Sequence, residues 1–251
     1  MKPAPASKPA APGVEAAARR IIRELRARRD DPRARGVQQY FKHAVVALGI
    51  DTPALRAFTR SELNRLKPAW TVAEATALCG RLLTETEMEI RVAGFLVLGG
   101  FKKEFTPALL PRAKRWLETR LDNWALADGF CSLVLSPMME RHPSMERTLR
   151  RWSGDPTLWV RRAALVTLVP FARRGRHLDL AYELAGEHFS DDEDLMHKAT
   201  GWLLREAGKT DMPRLKTFLL RHGPAIPRTA VRYAIERFPV RERKRLLERT
   251  R

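Results

Sequence analysis

Asp128 is a carboxylate in basic company, and it is the residue of this 251-residue chain best placed to do chemistry. Trp124 precedes it by four residues, one helical turn away on the same face. Arg161 and Arg162 lie in the next helical stretch, and Trp202 follows Lys198 by four. An acid flanked by indoles suits the stabilisation of a developing cation. A fixed carboxylate about 4 Å from such a cation contributes roughly 4 kcal/mol at an effective dielectric near 20, or about three orders of magnitude in rate. Indole faces add cation–π attraction of about 0.5–2 kcal/mol. No partner acid falls one turn from Asp128, so the carboxylate pair of an ordinary glycosidase is missing. Each residue also has a plain structural reading. A lone acid on a repeat helix is the usual partner of a salt bridge, tryptophans at helical spacing build core, and arginine columns tie one layer to the next.

The elements that position these residues read as helices throughout. No stretch alternates with period two, and β-branched runs are missing. Thr71-Val72-Ala73-Glu74, Thr86-Glu87-Met88-Glu89 and Ser190-Asp191-Asp192-Glu193 predict capping boxes. Thr52-Pro53, Thr106-Pro107 and Asp155-Pro156 predict a cap before a first-turn proline. These signals divide the chain into about a dozen helices with short connections. From Thr71 onward, segments starting at Ile90, Ala127, Arg161, His197 and Val231 align in one column. Its second residues, Arg91, Asp128, Arg162, Lys198 and Arg232, are spaced 37, 34, 36 and 34 apart. That period predicts an all-α, curved solenoid of HEAT-like antiparallel helix pairs, with second helices lining the concave face. Residues 1–13 read as a flexible basic tail and 14–251 as a single helical-repeat domain, capped by the helices before Thr71.

Composition narrows the partner. The 47 Lys and Arg against 29 Asp and Glu give a formal charge of +18, which favours polyanions through counterion release. No lipidation signal or apolar run of spanning length points to a membrane. Cys79 and Cys131 lack ligand spacing and read as buried small hydrophobes of a reducing compartment. The six histidines show no paired ligand spacing, and no Gly-rich phosphate loop occurs, so neither metal nor cofactor is expected. Arg237, Arg241, Arg243, Lys244, Arg245, Arg249 and Arg251 read as a solvated basic face with nonspecific attraction for DNA.

Asn123-Trp124-Ala125-Leu126-Ala127-Asp128, Trp159-Val160-Arg161-Arg162-Ala163-Ala164 and the run Lys198 to Glu206 resemble the signatures of bacterial AlkD-type DNA alkylation repair glycosylases. Tyr40-Phe41-Lys42 and Leu48-Gly49-Ile50 resemble that family's N-terminal elements, and the likeness spans roughly Gln38 to Phe238. The resemblance implies that Asp128 is the catalytic carboxylate and that Trp124 and Trp202 wall the damaged nucleotide, with Tyr40 near the same site. It implies that Arg162 holds the backbone, and Arg161, Lys198, Arg91, Arg232 and Lys42 are the further expected backbone contacts. Two positions depart from the family: Ala125 stands where a second Asp is common, and Phe41 replaces the usual Met.

The resemblance further implies excision of cationic alkylpurines, N3-alkyladenine and N7-alkylguanine, from duplex DNA. A cationic base leaves as a neutral molecule, so leaving-group protonation is unnecessary and one carboxylate suffices. An open helical groove offers no pocket for a flipped base, and the family's route grips the backbone around a base that stays stacked. The expectation is a monomeric, cytoplasmic, nucleoid-associated DNA glycosylase that needs no cofactor. Two other readings remain open: a non-catalytic HEAT-like scaffold for nucleic acid or an acidic protein, and a binder of damaged DNA without turnover.

Overall fold

A computed structural model describes residues 12–251. The expected basic tail falls almost wholly outside the described residues. Among those residues the fold is all-α: no strand forms, and the one isolated bridge joins Val46 to Glu87. The chain parts at Phe105–Thr106 into two compact units.

The first unit holds α1 (Val14–Arg26), α2 (Asp31–Val37), α3 (Thr52–Leu66), α4 (Val72–Leu82) and α5 (Met88–Gly99), with a 3-10 turn at Gln38–Tyr40. Helix α1 buries Ala17, Ala18, Ile21, Ile22 and Leu25, a stripe at three- and four-residue spacing, against α4. Of the expected capping boxes in this unit, Thr71–Glu74 forms in full. The Thr86–Glu89 box does not. Helix α5 starts after Glu87 without a side-chain cap, because Glu89 turns inward. Its oxygens accept from the amides of Leu48 and Gly49 at 2.8 Å and of Ile50 at 3.3 Å. Three main-chain donors outcompete one cap. Asp51, rather than Thr52, caps α3, its carboxylate accepting from Ala54 N at 2.8 Å.

The second unit holds α6 (Leu110–Thr119), α7 (Trp124–Phe130), α8 (Ser136–Arg141), α9 (Glu146–Ser153), α10 (Leu158–Ala172), α11 (Leu178–Glu187), α12 (Asp194–Gly208), α13 (Met212–His222), α14 (Arg228–Ala234) and α15 (Val240–Arg249). Helices α7, α10, α12 and α14 are successive neighbours, while α9, α11 and α13 pack as their hairpin partners. The column residues Asp128, Arg162, Lys198 and Arg232 therefore sit on four adjacent helices of one layer. Helix α10 is apolar on nearly every side because it is packed by α7, α9, α11 and α12 together.

Three further cap expectations are overturned here. The Ser190–Glu193 box is absent: α12 begins at Asp194, and Asp191 spends its carboxylate on Glu193 N and Arg161. Asp155 accepts from Thr157 N at 2.9 Å, yet α10 starts only at Leu158. Thr106 makes no side-chain cap, and a short 3-10 turn follows at Pro107. Cys79 and Cys131 are buried and unpaired, and burial pushes both thiols well above their ordinary range.

Candidate functional site

Asp128 is set by a short helix, α7. Asn123 caps α7, its side-chain oxygen accepting from Leu126 N at 3.1 Å. One turn past Asp128 the helix widens into a π turn, Cys131–Leu135, in which Ser136 N bonds to Cys131 O five residues back. Pro137 follows at once and has no N–H to give, so an α-helical ladder cannot be continued through it.

The Asp128 carboxylate meets the Arg162 guanidinium in a two-pronged pair. Nε donates to Oδ1 and Nη2 to Oδ2, both at 2.8 Å. Nη1 of Arg162 donates to the carbonyl of Leu195 in the first turn of α12. One guanidinium thus joins α7, α10 and α12 at the site. The Arg162 side chain is 6% exposed and that of Asp128 is 15% exposed, so the pair is largely buried with a small part of the Asp128 side chain at the surface. Burial pushes the Asp128 carboxyl above the ordinary aspartate range, while the hydrogen bonds and charge of Arg162 oppose that shift without cancelling it. The pair is the salt bridge that a lone acid on a repeat helix leads one to expect.

The indoles of Trp124 and Trp202 are half-buried, on α7 and α12. Trp124 lies one turn from Asp128, and Trp202 lies one turn from Lys198, which pairs with Asp194 at 2.8 Å. Arg232 is exposed on α14. Arg161 is committed inside the fold: it donates to Asp191 Oδ2 at 3.0 Å, to Asp155 O at 3.0 Å and to Pro156 O at 2.8 Å. It ties the start of α10 to the turns on either side.

A buried chain that the sequence does not announce lies beyond Arg161. Ser153 Oγ sits 2.9 Å from His188 Nε2 and donates to Glu187 Oε2 at 2.5 Å; His188 Nδ1 lies 3.3 Å from Asp191. The order of residues is that of a hydrolytic triad. Ser153 and His188 are only 2% and 4% exposed, however, so no substrate reaches the hydroxyl. Burial lowers the His188 pKa, and the group serves to lock α9 to the turn before α12.

In the first unit, Tyr40 is 67% exposed and Lys42 is exposed beside it. Their loop is laced by Gln38, whose side chain donates to Phe41 O at 3.2 Å and His43 O at 2.9 Å and accepts from Val45 N at 3.1 Å. Gly49, at φ +79°, lets the Leu48-Gly49-Ile50 turn pass against Asp30, where a Cβ would lie 2.3 Å from the Asp30 carbonyl oxygen. Arg91 donates from Nε to Glu85 O at 2.6 Å. Among the described residues, no group of three or more His, Cys, Asp and Glu is placed to hold a metal, and no helix is long and apolar enough to cross a membrane.

Known proteins match the chain over most of its length. A family model described as DNA alkylation repair enzyme matches residues 21–238. A solved structure, described as a predicted DNA alkylation repair enzyme from Enterococcus faecalis, shares the fold with a TM-score of 0.76. Its sequence is 18% identical, and the alignment covers 85% of this chain and 98% of that one. No curated protein matches.

Proposed function

This chain belongs to the DNA alkylation repair enzyme family, and from that premise we propose that it is a monofunctional DNA glycosylase releasing cationic alkylpurines from duplex DNA. The observation that carries the reading is the Asp128–Arg162 pair, a largely buried ion pair in which the Asp128 side chain keeps 15% exposure one turn from Trp124.

In the proposed reaction the C1′–N bond of an N3-alkyladenine or N7-alkylguanine breaks heterolytically. Its electrons pass to the base, which departs neutral, and positive charge develops on the sugar. Asp128 faces that charge, and water positioned by the same carboxylate adds to C1′ and gives up a proton. Arg162 changes the magnitude. A carboxylate about 4 Å from the cation contributes roughly 4 kcal/mol, but a guanidinium about 8 Å away on the far side takes back roughly 2 kcal/mol at the same effective dielectric near 20. The net of about 2 kcal/mol is about thirtyfold in rate, well short of the three orders expected for an unpaired anion. Arg162 in return fixes the carboxylate and favours its charged form in a site where burial favours the neutral acid. Trp124 and Trp202 supply aromatic walls. Lys198 and Arg232 contact the backbone from the second unit and Lys42 and Arg91 from the first, and Tyr40 contacts the lesion. Arg161 acts by holding α10 in place.

The same pair favours a second reading, in which Asp128 is purely structural and the protein is a non-catalytic scaffold for nucleic acid. Incubation with duplex DNA carrying N7-methylguanine, and then N3-methyladenine, separates the two. Free base released by the wild type and lost in a folded Asp128→Asn variant supports the glycosylase. Release of neither base above the spontaneous rate leaves the scaffold.

A further inference from the structure

Helix α15 carries charge that the fold does not use. Leu246 and Thr250 face inward and are buried, and Glu242 pairs with Lys216 of α13 at 2.5 Å. On the opposite face Arg241, Lys244 and Arg245 are exposed at three- and four-residue spacing, with Arg249 at its margin. Glu248 is the one acid among them. Arg241, Lys244 and Arg249 have no ion-pair partner among the described residues, and Arg245 reaches Glu242 only at 4.0 Å. Some other exposed arginines of this unit are matched, Arg150 with Glu183 at 2.6 Å, Arg174 with Glu140 at 3.0 Å and Arg214 with Asp179 at 2.6 Å, while Arg112, Arg115 and Arg147 stand on α6 and α9 rather than together on one helix face. Like charges at these helical spacings repel by about 0.2–0.5 kcal/mol per pair.

The helix is also held in register with the basic column. Nη1 of Arg228, the first residue of α14, donates to Thr250 Oγ1 at 3.2 Å and Thr250 O at 3.4 Å, and Thr250 Oγ1 donates to Leu246 O at 2.8 Å. The last turn of α15 is thereby pinned beside the start of α14, whose exposed Arg232 ends the column of Arg162 and Lys198. We infer that α15 is a second duplex-backbone surface, on which Arg241, Lys244 and Arg245 bind phosphates in addition to those met by the column. A rise of 1.5 Å per residue spreads Arg241 to Arg249 over about 12 Å, roughly three phosphates of one strand at about 3.4 Å of duplex axis each. The inference rests on duplex DNA being the substrate, as proposed above, and on nothing about the chemistry at Asp128.

The test is the salt dependence of binding to unmodified duplex DNA, read by fluorescence anisotropy on the full chain. In Arg241→Gln/Lys244→Gln/Arg245→Gln, the slope of log K against log salt becomes shallower by about 0.9 per lost phosphate contact, so by about 2 to 3. The charge-keeping variant Arg241→Lys/Lys244→Arg/Arg245→Lys retains the wild-type slope. Arg112→Gln/Arg115→Gln/Arg147→Gln, which removes exposed cations from α6 and α9, serves as the control for net charge. An unchanged slope in the α15 variant overturns the inference, and so does an equal flattening in the control. Should the triple variant melt early, Arg241→Gln and Lys244→Gln taken singly each read one contact. An unchanged slope with base release intact fails this inference alone; a shallower slope without base release in the wild type fails the glycosylase reading alone.

Discussion

Both oxygens of Asp128 are held by one side chain: Arg162 Nε donates to Oδ1 and Nη2 to Oδ2, each at 2.8 Å. A planar fork of this kind fixes the carboxylate plane as well as its place. An ammonium group supplies the charge without the fork. Arg162→Lys therefore keeps a folded protein but lowers kcat for N7-methylguanine release by about tenfold or more, with KM little changed, because orientation matters most in the transition state. Arg162→Ala strands a buried carboxylate and costs about 3–5 kcal/mol in urea unfolding. Adding Asp128→Ala to Arg162→Ala recovers part of that loss. Strict additivity of the two single changes rejects the coupling.

The pH dependence follows from the direction of the Asp128 shift. Burial raises this carboxyl and Arg162 only partly offsets it, so its folded pKa lies above its unfolded one. For stability the sign is a penalty: it is full above the folded pKa, shrinks as pH falls below that value and is gone below the unfolded pKa. Activity runs the other way. Base release needs the anion, so kcat falls as pH drops through the same raised pKa, at a higher pH than an ordinary aspartate allows. The substrates already carry their charge, so their spontaneous loss does not share this limb. Removing the lowering partner with Arg162→Gln moves the limb to still higher pH. A kcat profile flat down to the ordinary aspartate range rejects Asp128 as the titrating group.

Much of this site is legible in the chain because it rests on local spacing. Trp124–Asp128 and Lys198–Trp202 are one-turn pairs, and the period of the column places Asp128, Arg162, Lys198 and Arg232 on neighbouring helices. What spacing cannot show is which donor a carboxylate will choose. Glu89 and Asp191 sit where capping boxes belong, yet tertiary partners absorb both. Arg161 and Arg162 are equivalent in sequence, while the fold gives one to the turns and the other to Asp128. Ser153 and His188 lie 35 residues apart with no motif joining them, so only the packing of α9 on α11 brings them together.

Glu89 provides a test in the first unit that is independent of Asp128. Its carboxylate is buried and accepts from three consecutive amides of the Leu48-Gly49-Ile50 turn. That turn follows directly on the loop bearing Tyr40 and Lys42. Hydrogen bonds to a charged acceptor contribute about 1.5–3 kcal/mol. Glu89→Ala leaves those amides without their acceptor, so their hydrogen exchange accelerates by two orders of magnitude or more, for a loss of about 3 kcal/mol in local opening. Glu89→Gln keeps one acceptor oxygen and exchanges at an intermediate rate. Unaltered protection of the three amides in Glu89→Ala means that the turn is held by something else.

Gly201 sets two opposing effects against each other one residue from Trp202. Helix α12 would gain about 1 kcal/mol in propensity from Gly201→Ala. The added Cβ, however, would lie 2.5 Å from the Ala230 carbonyl oxygen, 2.5 Å from Tyr233 Cβ and 3.0 Å from Ala230 Cα. Two of these three atoms are backbone of α14, and a backbone cannot swing aside as a side chain tip can. Overpacking of this kind costs about 1–3 kcal/mol, so the clash outweighs the propensity gain. Gly201→Ala lowers Tm by a few degrees, about 2–4 °C per kcal/mol of net loss in a chain of this size. It also pushes α14 away, displacing Arg232 and opening the flank of Trp202, so tryptophan emission shifts to the red. A raised Tm in Gly201→Ala means that α12 and α14 do not approach as closely as this glycine allows.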